Sequence, residues 1–287
     1  AFPIHGTDWK KITVAWKDLI PVLPGARSLP LAVSGPNRPS RFSGLWVGKW
    51  WYWGDYPELT FALDEIRLEP KVPRDPKCAQ PEGRPLDRVL KKLEAGQPIT
   101  IVTMGDSLTD KRHWANREAA WVDLLKARLE KTYQTKVTMV NVAIGGTQLR
   151  QNLVLIPRWI DQCPEPDLVT IGFGFNDWDA GMRAEEFKRG CREAIDRIRC
   201  ATRGHADVLL MTTNPASIRW NEMEELASAC REAARDSRAG LADTDRAFLQ
   251  AGETDRDSLF VRDGVHLSQA GHALVAEVFR SLESRDP

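Results

Sequence analysis

The chain has no apolar run approaching the ~20 residues that a membrane-spanning helix requires, so no membrane span is expected. It has no excess of charge either. Forty basic residues balance forty acidic ones over 287 residues, and without a net field neither nucleic acid nor an anionic membrane is an expected partner. Cysteine is scarce and unpatterned. The five, Cys78, Cys163, Cys191, Cys200 and Cys230, show no metal-ligand spacing, and an odd number cannot pair fully within one chain. Buried free thiols are expected; Cys191 and Cys200, on one helix, would stand about 13 Å apart and out of disulfide reach. The opening residues Ala1-Phe2-Pro3-Ile4-His5 lack an initiator Met and the charged and apolar regions of a signal peptide. A processed or trimmed start is expected, with any export signal lost.

What is present divides into two textures, on a chain whose 42% hydrophobic content suffices for a sizeable core. Six of the eleven tryptophans fall in the first 53 residues, among turn-forming Pro, Gly and Ser. Alternating runs such as Lys11-Ile12-Thr13-Val14-Ala15-Trp16 and residues 60–68 read as β-strands. Pro70, Pro73, Pro76, Pro81 and Pro85 then mark a linker. Beyond it, apolar strand runs at 99–104, 137–142, 168–173 and 208–212 alternate with helical stretches near 116–132, 183–202, 221–236 and 267–283. That is the pattern of a parallel sheet covered on both faces, an α/β three-layer domain.

In open α/β sheets, ligands sit outside the carboxyl ends of the strands. Gly105-Asp106-Ser107 follows the first strand, Gly145-Gly146-Thr147 the second and Gly174-Phe175-Asn176-Asp177 the third, while Asp263-Gly264-Val265-His266 lies near the C-terminus. Each alone has an ordinary reading: Ser107 a helix cap, the glycines a turn, Asn176-Asp177 a turn or cap, His266 a satisfied histidine. Together they carry chemistry. A serine hydroxyl needs an imidazole to take its proton and a third group to hold the ring's tautomer, and Asp263 and His266 are close enough in sequence to supply both. Backbone N–H groups at Ser107 and a loop glycine, with the Asn176 amide, suit a developing oxyanion.

These four pieces, in this order, resemble the SGNH or GDSL hydrolase family over residues ~95–285. The resemblance implies a flavodoxin-like α/β/α domain and ester hydrolysis. It implies Ser107 as nucleophile, Asp263 and His266 as its partners, and Ser107, Gly146 and Asn176 as the oxyanion hole; counting from Asn141 favours Gly146 over Gly145. Thr109 stands where a Gly-x-Ser-x-Gly elbow needs its second glycine, which sets the chain apart from the usual α/β-hydrolases. The five histidines, His5, His113, His205, His266 and His272, are scattered in sequence, so neither metal nor cofactor is expected.

The segment 110–117, Asp-Lys-Arg-His-Trp-Ala-Asn-Arg, is polar and aromatic where a lipase would present apolar surface. Asp106, Arg112, His113, Trp114 and Trp178 are candidate substrate contacts; an exposed loop and a core tryptophan are the alternatives. Trp46, Trp50, Trp51, Tyr52, Trp53 and Tyr56 could stack on sugar rings or fill a core. Residues 8–14 and 63–68 resemble the later part of jelly-roll carbohydrate-binding-like β-sandwiches. The expected organisation is a β-rich accessory domain over 1–72, a linker and lead-in over 73–94, and a hydrolase domain over 95–287. The expected function is a secreted or periplasmic carbohydrate O-acetylesterase acting on an acetylated polysaccharide. A lipid, aryl-ester or thioester hydrolase with a purely structural N-terminal region is the alternative, and a non-catalytic glycan-binding protein the second.

Overall fold

The computed structural model describes residues 8–14, 62–68, 83–153 and 155–282. Among them five strands, β1 Ile99–Gly105, β2 Val137–Asn141, β3 Leu168–Gly172, β4 Asp207–Met211 and β5 Gly240–Ala242, form one parallel sheet. Its order is β2-β1-β3-β4-β5, the flavodoxin-like arrangement in which the chain leaves β1 toward one edge and β3 toward the other. The four strands expected from the sequence form where expected. The fifth, three residues long, is too short to show a pattern of its own.

Alternation along the strands separates two cores. Ile99 and Ile101 of β1, Leu168 of β3 and Leu209 of β4 face one side, where they meet α1 Asp87–Glu94, α2 Trp121–Tyr133, α8 Thr244–Asp255 and α9 Gln269–Val278. Val102 and Met104, Val169 and Ile171, and Val208 and Leu210 face the other. There they meet α3 Leu149–Leu153, α4 Ile156–Ile160, α6 Ala184–Ala201 and α7 Glu224–Asp236; a short α5, Phe175–Asp179, follows β3. Helix α6 shows why the sequence folds this way. Phe187, Cys191, Ala194, Ile195 and Ile198 fall on one helical stripe and are all buried, each large aliphatic or aromatic side chain contributing about 1.5–3 kcal/mol. Glu185 and Glu186 favour its first turn electrostatically. At its end the Arg199 guanidinium donates to the carbonyls of Ser237 (2.7 Å) and Arg238 (3.1 Å), tying α6 to the end of α7.

Three expectations change. Helix α1 lies inside the stretch read as linker and lead-in; Val89, Leu90 and Leu93 bury one side of it in the first core, so the folded unit begins before residue 95. Residues 62–68 are exposed and form no strand. Glu65 has φ 49°, its N–H is taken by Asp64 Oδ1 at 2.7 Å, and such local bonding competes with a sheet ladder. Residues 8–14 are likewise exposed and without regular structure. The remainder of the expected accessory domain, with the aromatic cluster at 46–56, lies outside the described residues. Finally, Cys163, Cys191 and Cys230 are free thiols, but Cys200 is in a disulfide whose partner lies outside the described residues. The spacing that excludes a Cys191–Cys200 bond does not exclude a distant one.

Candidate active site

The site forms at the β1/β3 switch point. Past Gly105 the chain closes a tight turn in which the N–H groups of Thr109 and Asp110 both donate to Asp106 O, at 3.1 and 2.9 Å. Asp106, not Ser107, caps this turn: its Oδ1 accepts from Leu108 N–H at 3.0 Å. The Ser107 hydroxyl is thereby left for His266, whose Nε2 lies 2.9 Å from Oγ. On the other side of the ring Nδ1 lies 2.6 Å from Asp263 Oδ2. Asp263 Oδ1 also accepts the backbone N–H groups of Val265 and His266, both at 2.9 Å. Burial would raise the Asp263 carboxyl, but these bonds from His266 and Val265 outweigh it and hold the group below the usual carboxylate range. A permanent carboxylate fixes Nδ1 as the protonated nitrogen and leaves Nε2 to accept from Ser107.

The nucleophile turn is fixed from below by groups the sequence did not advertise. Asn116 is buried, and its Nδ2 donates to Ser107 O at 2.7 Å and Asp110 O at 2.8 Å. Its Oδ1 faces His272 Nε2 at 3.1 Å, and His272 Nδ1 accepts from Trp121 N–H at 3.3 Å. Burial, reinforced by the nearby His266, lowers the His272 pKa to about 4, so this ring is neutral and donates from Nε2. Asp110 accepts from Arg112 through the backbone N–H (2.9 Å), Nε (2.9 Å) and Nη2 (3.0 Å), and from Gly145 N–H at 3.1 Å. Burial pulls its pKa up, yet those donors bring it below the ordinary value.

The same bond settles which glycine is open. Gly145 packs against Ser107 and has its N–H engaged by Asp110, whereas Gly146 N–H has no acceptor among the described residues. Neither has Ser107 N–H. Asn176 reaches the site because Gly174, at φ 150°, lets β3 pass into α5; a Cβ there would lie 1.9 Å from Thr213 Oγ1. The Asn176 amide donates to Thr147 O at 3.1 Å and, at 3.4 Å, toward Asp106 Oδ2. Asp177 is fully buried, accepts from Leu149 N–H at 2.9 Å, and so fixes the start of α3 just beyond the Gly146-Thr147 loop. Its Oδ2 has no partner; burial, with the neighbouring Asp106 charge, pushes its carboxyl well above the usual range.

Of the candidate substrate contacts, His113 stacks on His266 with ring centroids 4.2 Å apart, and Trp114 stands 5.7 Å from the same ring. Asp106 lines the cleft but is almost wholly buried, with its oxygens committed to Leu108 and Asn176. The Arg112 guanidinium is tied to Asp110 and to Ala143 O. Trp178 packs on the second core beneath the guanidinium groups of Arg183 (5.1 Å) and Arg219 (4.7 Å), away from the cleft lining. Three histidines that look scattered in sequence thus converge: His113 and His266 in a stack, His272 behind the nucleophile. Among the described residues no group of three or more His, Cys, Asp or Glu could hold an ion.

A carboxylate, an imidazole and a serine hydroxyl in one hydrogen-bonded row at the switch point of a parallel sheet define a serine hydrolase site. The chain belongs to the GDSL-like lipase/acylhydrolase family, whose model matches residues 103–274. It is 29% identical over 137 residues to thioesterase 1/protease 1/lysophospholipase L1 of Escherichia coli K12; the match covers 47% of this chain and 62% of that protein. It is 24% identical over 216 residues to an acetylxylan esterase of Geobacillus stearothermophilus, covering 66% of this chain and 94% of the other. The crystal structure of an acetylxylan esterase, Axe2, from the same organism superimposes with a TM-score of 0.53 at 23% identity, over 66% of this chain and 95% of that one. The lipase/acylhydrolase of Enterococcus faecalis gives 0.54 at 22%, over 65% and 96%. Both structures share the fold.

Proposed function

We propose that the protein is a serine esterase that removes acetyl groups from carbohydrates. The observation that carries this reading is the row Asp263, His266, Ser107, joined at 2.6 and 2.9 Å beside two open backbone donors. Ser107 Oγ attacks the acetyl carbonyl as its proton passes to His266 Nε2. The oxyanion is met by the N–H groups of Ser107 and Gly146 and by the Asn176 amide, whose long 3.4 Å contact to Asp106 is the one exchanged for it. His266 returns its proton to the departing sugar oxygen, while Asp263 stabilises the imidazolium. Water deprotonated by His266 then attacks the acetyl-serine carbonyl, the bond to Ser107 Oγ breaks as His266 returns the proton to Oγ, and acetic acid leaves as acetate.

One further observation supports acetyl carbohydrate over other esters, and a second bears on where the enzyme works. The relative matched over 94% of its length is an acetylxylan esterase. The disulfide at Cys200 fits an oxidising compartment, where a secreted or periplasmic enzyme meets polysaccharide. A sugar-binding role for the N-terminal region remains part of the proposal on its aromatic cluster alone, since residues 8–14 and 62–68 form no strand. One finding favours a second reading, thioester or lysophospholipid hydrolysis: the Escherichia coli relative is named a thioesterase and lysophospholipase.

Acetate release from a panel of acetylated glycans, beside a series of acyl chain lengths, decides between them. Acetyl preference is expected, and a preference for long acyl chains would overturn the carbohydrate reading. Ser107→Ala is expected to lower kcat by about 10⁴-fold or more; unchanged hydrolysis would overturn the mechanism.

A further inference from the structure

Trp114 is 57% exposed although its ring stands beside the base of the reaction. A large aromatic face left in water near a reacting centre gains free energy when a ligand covers it. Its position is not that of a loose surface residue. It opens the short 3₁₀ turn Trp114–Asn116, which His113 caps by accepting Ala115 N–H on Nδ1 at 3.4 Å. The same turn ends in Asn116, the residue that grips the carbonyls of Ser107 and Asp110. The indole is therefore registered to the nucleophile through three consecutive residues.

His113 completes a three-ring cluster with the indole and the base. It is stacked on His266 with planes 20° apart and tilted against Trp114 at 5.4 Å. Burial, then the His266 charge, lower its pKa, so His113 stays neutral when His266 becomes an imidazolium. A neutral π-face against that cation is favourable, whereas a second cation would oppose proton uptake.

His266 delivers its proton from Nε2 to the leaving oxygen, so the group borne by that oxygen departs beside His266, the ring from which Trp114 stands 5.7 Å at the margin of the cleft. We propose that the exposed face of Trp114 is the leaving-group subsite and that it takes a pyranose ring by its C–H face. The proposal rests on the carbohydrate reading above and adds to it where the sugar sits. It also gives the aromatic pair beside the base a use, since a sugar has no net charge to pair but has an apolar face.

The test compares wild type, Trp114→Ala and Trp114→Phe on two acetyl esters, a mono-O-acetyl methyl pyranoside and ethyl acetate, which shares the acyl group but has no ring. For Trp114→Ala the KM for the pyranoside is expected to rise about tenfold with kcat within about threefold, and the ratio of kcat/KM for pyranoside over ethyl acetate to fall about tenfold. Trp114→Phe, which keeps a flat face, is expected to recover most of that ratio. An unchanged ratio on a pyranoside that the wild type hydrolyses overturns the subsite and leaves the carbohydrate reading standing. A fall in kcat instead of a rise in KM overturns it too. Rejection of all acetylated pyranosides by a wild type that cleaves long-chain thioesters overturns both.

Discussion

The two halves of the site are built in opposite ways. The nucleophile turn is buried and bound from several directions: Asn116 on its carbonyls, His272 behind Asn116, Arg112 and the Gly145 amide on Asp110. The loop that brings Asp263 and His266 is half-exposed and largely self-contained. Asp263 binds two N–H groups within its own turn, and Val261 N–H closes the loop on His266 O at 2.8 Å. The difference follows from what each half must do. A nucleophile with an oxyanion beside it tolerates little displacement, since about 1 Å of misplacement can cost 10²-fold. The base needs a fixed tautomer and a short reach, and a single Asx turn gives both. Damage should therefore register differently on the two sides.

The sharpest break is Asp263→Asn. It removes the charge that orients His266 but leaves an exposed turn, so kcat is expected to fall by about 10³–10⁴-fold while the melting temperature stays within about 2 °C. Kinetics and thermal melts on one preparation check both arms, and a comparable loss of stability would erase the contrast. On the opposite side, Asn116→Ala strips two carbonyls of their donor and leaves the buried His272 Nε2–H unmatched. The unfolding free energy in urea is expected to drop by about 2–4 kcal/mol, together with kcat. An unaltered urea midpoint would mean that the turn does not depend on its cross-bonds.

The smallest effect is pH-dependent and belongs to Asp106. Burial raises its carboxyl to about 6 from 3.8, so between those values the folded chain keeps a proton that the unfolded chain has released. The group's contribution is then fully present below 3.8 and lost as pH rises through about 6, a difference on the order of 3 kcal/mol. Asp106→Asn removes the buried charge but also one acceptor, so the variant is expected to be about 1–2 kcal/mol more stable than wild type near pH 8, with no advantage near pH 3.5. Chemical denaturation across that range tests the sign; a variant less stable at the alkaline end would show that the carboxylate stabilises the turn.

How much of this is legible before folding depends on sequence distance. The strands at 99–105, 137–141, 168–172 and 207–211 are read from apolar runs, and α6 from its stripe, because each pattern is local. Asp263 and His266 are legible for the same reason: three residues apart, they fall in one turn. Helix α1 is hidden behind prolines, and its eight residues show only three buried positions. Asn116 and His272 carry no mark at all. An asparagine in a polar segment and a histidine six residues after His266 become a pair only when α9 packs beside the nucleophile turn, 156 residues apart along the chain. Asp106 misleads in a further way, since its place next to Ser107 suggests contact with substrate, whereas its oxygens face inward to Leu108 and Asn176.

By itself the sequence determined the layered α/β frame, through its periodicities, and pointed to the reacting groups proposed above, through motifs short enough to be contiguous. Only the tertiary structure decided which glycine amide stays open, which aspartate caps the Ser107 turn and which histidines stand in front of and behind the reacting serine. Those choices depend on where a hydrogen bond is already taken. An amide spent on Asp110 cannot meet an oxyanion, and a hydroxyl relieved of capping can meet an imidazole. Neither outcome is written in any single stretch of chain, because each is settled by a competitor that arrives from another strand or helix.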